Sequence, residues 1–403
     1  TTLSAEAISP LLPATRDTAS LLRVLPGAQT RAAGAAAGLP VIRGLADERL
    51  RIQVDGMELL AACANHMNPA LSYLDPGQVG SIEVYAGVSP VSVGGDAIGG
   101  AVLVTSTPPA FAPAGAGSVR SAAVGAHYRS NGDARGASLR ASHGTESVAV
   151  AYDGAYAKAD NYKAGKAFKD YGFTGRAGHT LAHDEVASSA YETANHALSL
   201  AWRTNDDLVD LRYLRQQTPS QGYPNQRMDM TDNVSDKLNL AWSSRQGWGT
   251  LKARAFNEQI DHAMDFGPDK RYWYGMASGG SGATSATPCS PIGNNCAAGM
   301  PMYAEGRNSG LSLQTELPMG ESDKARVGVE YRAQQLDDWW PASGAGMWPH
   351  TFWNIRDGER DRYAVFGEWE GRRGATTHIL GLRHETVKMD AATVHGYNLN
   401  TFP

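Results

Sequence analysis

Two short clusters of soft donor side chains stand out in this 403-residue chain. Cys63 and Met67 lie in the run Cys63-Ala64-Asn65-His66-Met67, and His262 and Met264 lie in His262-Ala263-Met264. A thiolate, two thioethers and an imidazole suit copper, and Cu(I) above all, whereas calcium, magnesium and ferric iron prefer oxygen. Cys63 and Met67 are spaced i, i+4, which places them on one face of a helical turn. Pro69 permits little helix beyond them, so a compact turn serves equally well. His66, between them, is the weakest candidate: an alternate ligand, a group behind the ligands, or, as the favoured reading, a residue that merely lies nearby. A single Cys or Met is ordinarily core packing, so the chemistry requires a fold that joins the two clusters.

Composition narrows that fold. The chain carries 45 glycines and is 42 % hydrophobic, yet it has no apolar run near the roughly 20 residues that a membrane helix needs. A membrane β-barrel remains open, because alternating strands give little hydropathy signal. The formal net charge of -5 comes with no basic run, which argues against a nucleic-acid partner. Of the three cysteines, Cys289 and Cys296 lie close together in a Gly/Ser/Thr/Pro-rich stretch, where a disulfide could close a small loop in an oxidising compartment. Cys63 is then left over and must be buried or occupied.

Residues 1 to 110 read as a small α/β unit. Short β-like runs (Leu50 to Val54, Ser81 to Tyr85, Ala101 to Thr105) are separated by Gly/Pro turns, and Thr18 to Leu25 could be helical. Pro108 to Gly117 reads as a linker, its last part, 111–117, leading into the region 118–403. There the period becomes two. Val209, Leu211 and Tyr213 alternate with Asp210 and Arg212, and Leu238, Leu240 and Trp242 alternate with Lys237, Asn239 and Ala241. About eleven such strands can be counted, joined alternately by short turns (as at Thr204 to Asp207 and Ser244 to Gly247) and long loops. The long loops are read at Lys158 to Ala190, Thr218 to Thr231, His262 to Glu305 and Leu336 to Gly358. That asymmetry, with strand-end aromatics such as Trp202, Trp242, Tyr331 and Trp369, favours an outer-membrane barrel over a soluble β-sandwich.

The first 110 residues resemble the plug domain of TonB-dependent outer-membrane receptors. The matching segments are Pro40-Val41-Ile42-Arg43-Gly44-Leu45, Arg51-Ile52-Gln53-Val54-Asp55-Gly56-Met57, Val79 to Gly87, and Gly94 to Val102, in the family's order and spacing. The resemblance implies a mainly β fold: a small α/β plug inside a transmembrane antiparallel barrel of 22 strands, in the bacterial outer membrane. It also implies an energy-coupling partner of the TonB type on the periplasmic side and contact with outer-membrane lipid. Eleven strands are half of that barrel, so 118–403 is read as its N-terminal half, truncated at Pro403, and no TonB box is recognisable. Within the family, Cys63 to Pro69 followed by a later His-X-Met is similar to the copper-receptor branch, where the counterparts of Cys63, Met67, His262 and Met264 form the copper site.

Strand parity bears on the same four residues. If the first strand runs outward, Thr250 to Ile260 is the seventh strand and His262 lies at its outer end. Lys252 and Arg254 should face the lumen, because charge is costly against lipid. His262 and Met264 share their parity and should point inward if the extended conformation continues. Eight of the eleven methionines fall in the expected outward loops, among them Met228, Met230, Met300 and Met302. They are read as weak thioether sites that guide Cu(I) inward.

No Gly-X-Ser-X-Gly, phosphate loop, His-Glu-X-X-His or Cys-X-X-Cys motif points to an enzyme. The expectation is a copper receptor and transporter. Receptors for a ferric siderophore or another metal chelate, and a copper redox or storage protein, are the alternatives.

Overall fold

The computed structural model describes residues 1–63, 66–95, 97–170, 172, 174, 178–270, 273–274, 292–293, 296–297, 301–341 and 351–395. The sixth strand of its large sheet, Asp229–Gln246, shows how the sequence builds the wall. Asn233, Ser235, Lys237 and Asn239 are buried on one face, while Leu238 and Leu240 on the other are 47 % and 42 % exposed. A polar face turned inward and an apolar face turned outward is the reverse of a soluble sheet, and it is what a strand between a filled lumen and lipid requires.

Ten further strands complete the sheet. They run from Ser118–Arg129 to Thr376–Asp390 in one antiparallel sheet of eleven in which sequence neighbours are also spatial neighbours. The first and eleventh strands form its two edges. Outward Leu198, Leu200, Trp202, Leu311, Leu313, Val327, Val329 and Val365 make an exposed apolar band. Turns at one end are tight, as between Arg203 and Asp207 and between Gln246 and Gly249. The other end carries the connections 160–190, 222–228, 266–301 and 341–351, with one tight hairpin, 130–133.

The strands outlast the expected loops. The seventh wall strand runs Gly249–Asp265, so His262 and Met264 lie within it, and the fifth continues to Gln221, leaving 222–228 as the connection. A strand of 17 residues exceeds the roughly 9–11 needed to cross a bilayer. Its outward face turns polar and exposed at Asn257, Gln259 and Asp261. The end that carries His262 therefore projects beyond the apolar band.

The N-terminal unit is a five-stranded sheet ordered Thr2–Leu3, Val79–Ala86, Gly100–Ser106, Leu50–Val54 and Met57–Glu58. Leu50–Val54 lies parallel to Gly100–Ser106, and the other pairs are antiparallel. Thr18–Val24 is helical, as a 3-10 turn that Asp17 caps by accepting from the Ala19 N–H. Leu21, Leu22, Ile42, Met57, Leu71, Ile82 and Val102 fill the core, which continues into Ile260, Met264 and Met302 of the wall.

Charge seats this unit in the wall. The tip of the hairpin, Asp55-Gly56, presents the Asp55 carbonyl to Arg254 and to Asn239 Nδ2 (3.0 Å). Gly56 has φ +74°, and a Cβ there would lie 2.6 Å from Arg254 Nε, so glycine is needed for both conformation and clearance. Beside it, Glu58 meets Arg51 at 3.1 Å, Arg332 at 2.5 Å and Arg362 at 2.6 Å. Burial alone would raise the Glu58 carboxyl, but Arg332, Arg51 and Arg362 outweigh it and hold it well below the usual carboxylate range.

Two of those cations belong to the wall, so removing Glu58 leaves buried guanidinium groups without their shared anion. Glu58→Ala should loosen the plug by about 3–5 kcal/mol, read as a lower denaturant midpoint and faster proteolysis within 1–106 while the wall stays intact. Unchanged plug proteolysis would contradict this account of the seating.

Candidate metal centre

Cys63 follows Met57–Glu58 on a short extended segment, and a tight turn comes next. The His66 N–H donates to the Cys63 carbonyl at 3.0 Å, and His66 sits at φ +52°. The helical and compact alternatives differ at Ala64 and Asn65, which lie outside the described residues. Pro69 starts the 3-10 turn Ala70–Tyr73, whose residues are buried against the wall.

The two clusters meet at the boundary between plug and wall. The Cys63 thiol donates to the Met264 thioether, Sγ to Sδ 3.8 Å. Cys63, Met67, His262 and Met264 are all buried, none exposing more than 4 % of its surface. Met67 belongs to the same buried cluster as Cys63 and Met264. His262 lies two residues before Met264 on the inward face, as parity with Arg254 anticipated, with its Nδ1 3.1 Å from Asn233 Oδ1. That oxygen accepts only, so Nδ1 carries the proton and Nε2 keeps its lone pair. Nε2 is buried without a hydrogen-bond partner among the described residues. An imidazole nitrogen with a free lone pair, a thiol and thioethers are donor types that suit a soft ion. Among the described residues no group of three or more His, Cys, Asp or Glu side chains forms a harder site.

The other candidate residues are placed as follows. His66 pairs with acidic neighbours, its Nε2 3.0 Å from Glu48 Oε1 and its Nδ1 3.8 Å from Asp47 Oδ1. Met228, Met230 and Met302 are buried in the same cluster as Met264 rather than exposed to solvent. Met230 pairs directly with Met264, and Met264 with Met302, so three thioethers form one row across the sixth, seventh and eighth wall strands. Simple alternation from Asn233 would turn Met230 outward, but a bulge between Met230 and Asp232 reverses its parity. Met300 and Cys289 lie outside the described residues, and with Cys289 so does the expected pairing to Cys296.

Sequence reading missed the polar frame around the site. Asn233 accepts from Asn68 Nδ2 of the plug at 3.2 Å, and Glu258 accepts from the Leu60 N–H at 2.9 Å and from Asn308 Nδ2 at 2.8 Å. Lys237 donates to Ser235 Oγ at 2.7 Å and lies 5.1 Å from the centre of the Tyr73 ring. The alternation of Asn233, Ser235, Lys237 and Asn239 was the available signal for an inward polar stripe.

With the geometry described, comparison with known proteins adds three findings. Residues 1–101 match the TonB-dependent receptor plug domain. Among solved structures the chain is similar to the copper transporter OprC, with a TM-score of 0.73 and 20 % identity over 94 % of this chain and 54 % of that one. It is also similar to the siderophore receptor PirA of Pseudomonas aeruginosa (TM-score 0.61, 17 % identity, 97 % and 57 % covered) and the FrpB iron transporter of Neisseria meningitidis (0.68, 14 %, 95 % and 57 %). The chain thus spans about half the length of the structures it matches. No curated protein gives a significant match. The fold is a plug with an antiparallel outer-membrane barrel wall, and its place is the bacterial outer membrane.

Met264 joins the thioether row to the Cys63 contact, which separates packing from ligation. Met264→Leu conserves volume and should change the stability of the metal-free protein by less than about 1.5 kcal/mol, whereas Met264→Ala should cost about 2–5 kcal/mol. Thermal unfolding without metal reads both; equal losses in the two variants would show that the thioether itself holds this interface.

Proposed function

We propose that the protein is the plug-bearing part of an outer-membrane receptor that takes up copper, preferentially as Cu(I), from the outer side for energised transport. The observation that carries this reading is the Cys63 to Met264 contact across the plug and wall, 3.8 Å between sulfurs, with His262 and Met67 likewise buried. Soft donors from two separate parts of the fold converge there, and one imidazole nitrogen has no other partner among the described residues. The likeness to the copper transporter OprC supports the same reading, while the siderophore receptor PirA shares the fold with another cargo.

In this reading Cys63 and Met67 are the plug's ligands, and His262 and Met264 are the wall's. The thiolate supplies the negative charge, and the thioethers and neutral imidazole complete a set that discriminates against oxygen-seeking ions. A site divided between two bodies can be tight while closed and weak when they separate. Release then calls for movement of the plug, with a TonB-type partner on the periplasmic side as the source of work and outer-membrane lipid around the apolar band.

The test is metal analysis of the purified full-length protein after loading with Cu(I), compared with Cys63→Ala and His262→Ala. One copper per chain in the wild type, lost or bound at least about tenfold more weakly in each variant, is the expected result. A wild type without copper, or variants that bind as well as wild type, would overturn the proposal. A ferric-chelate receptor predicts instead that Cys63→Ser leaves uptake of its cargo unchanged.

A further inference from the structure

Asn233 occupies the position directly opposite His262 in the ladder between the sixth and seventh wall strands and is fully buried. Its Oδ1 lies 3.1 Å from His262 Nδ1, 3.2 Å from Asn68 Nδ2 and 3.5 Å from the Tyr73 hydroxyl. One carbonyl oxygen therefore faces a wall histidine and two plug side chains. Asn233 Nδ2 is buried with no hydrogen-bond partner among the described residues. The amide is placed for what its oxygen does.

That oxygen has two consequences. It fixes the proton of His262 on Nδ1, so Nε2 is the nitrogen that can ligate, and it holds the ring against rotation. It also ties the ring to the plug, because Asn68 directly follows Met67 and is itself anchored by Ser72, whose hydroxyl donates to Asn68 Oδ1. Asn68 and Tyr73 move with the plug, whereas Asn233 and His262 stay with the wall.

We propose that Asn233 is the positioning residue of the metal centre: it holds His262 ready to ligate through Nε2, and through Asn68 it makes that hold depend on where the plug sits. Plug displacement then carries away two of the three sulfur ligands and also removes two of the three donors that fix Asn233. The nitrogen arm loosens in the same step. This inference rests on the soft-metal reading above.

The experiment uses the full-length protein loaded anaerobically with Cu(I). X-ray absorption reads the ligand types, and a competing chelator reads affinity and dissociation rate. Wild type is expected to show nitrogen and sulfur scatterers. Asn233→Leu, which keeps approximate volume without an acceptor, is expected to lose the nitrogen scatterer and bind about 10–100-fold more weakly. Asn233→Asp keeps an accepting oxygen for Nδ1 while a second, anionic oxygen replaces the amide nitrogen, so it is expected to restore the nitrogen signal. Asn68→Ala leaves Asn233 and all four ligands in place and is expected to keep the nitrogen signal but release copper several-fold faster.

A nitrogen signal unchanged in Asn233→Leu overturns the positioning role. A dissociation rate unchanged in Asn68→Ala overturns the link to the plug. If leucine prevents folding, judged by heat-modifiable migration, Asn233→Ala is read in the same way. A wild type that binds no copper overturns the parent reading, whereas copper bound identically in wild type and Asn233→Leu overturns this inference alone.

Discussion

Glu58 lies between Arg51 of its own unit and Arg332 and Arg362 of the wall, and the seating of the plug depends on that carboxylate. Each guanidinium alone would be costly to bury, and the shared anion makes the group tolerable. The backbone reinforces it: Asn308 Nδ2 and Arg332 Nη2 both donate to the Glu58 carbonyl at 2.9 Å. The segment after Glu58 is thereby led along the inner face, where the Leu60 N–H meets Glu258 and the Cys63 thiol meets Met264. The sulfur contact is thus downstream, in the chain and in space, of an electrostatic clasp.

The wall contributes a different constraint. Antiparallel pairing fixes which residues stand opposite one another, and here it aligns Asn233 with His262 and Met230 with Met264 and Met302. One irregularity, the bulge at Thr231, allows Met230 to share the inner face with Asn233 although the two are three positions apart. A regular strand would have turned one of them outward. The thioether row serves as apolar packing against the plug, with polarisable sulfurs on the same surface.

The interface also combines apolar packing with charge and amide hydrogen bonds, and these respond differently to force. The apolar contacts around Leu71, Ile260 and Met302 are non-directional and weaken gradually as surfaces part. The Glu58 clasp and the Asn68 to Asn233 bond are directional and fail over a short displacement.

The sequence determined much of this by local rules. Period-two alternation marked the wall strands and gave the inward direction of His262 and Met264, and the plug segments were readable from Pro40 to Val102 because their turns need glycine and their strands need branched residues. Donor chemistry alone singled out Cys63, Met67, His262 and Met264. What tertiary structure decided was everything that depends on register and on packing between distant segments. The turn at His66 directs that imidazole to Glu48, the bulge at Thr231 buries Met230, and the long strands enclose methionines that alternation had left in loops. Asn233 gains its role only because strand pairing sets it opposite His262 while the seated plug brings Asn68 to the same oxygen. Alternation specifies a face but not a partner, and partners across a ladder or a domain boundary are fixed by the folded assembly as a whole.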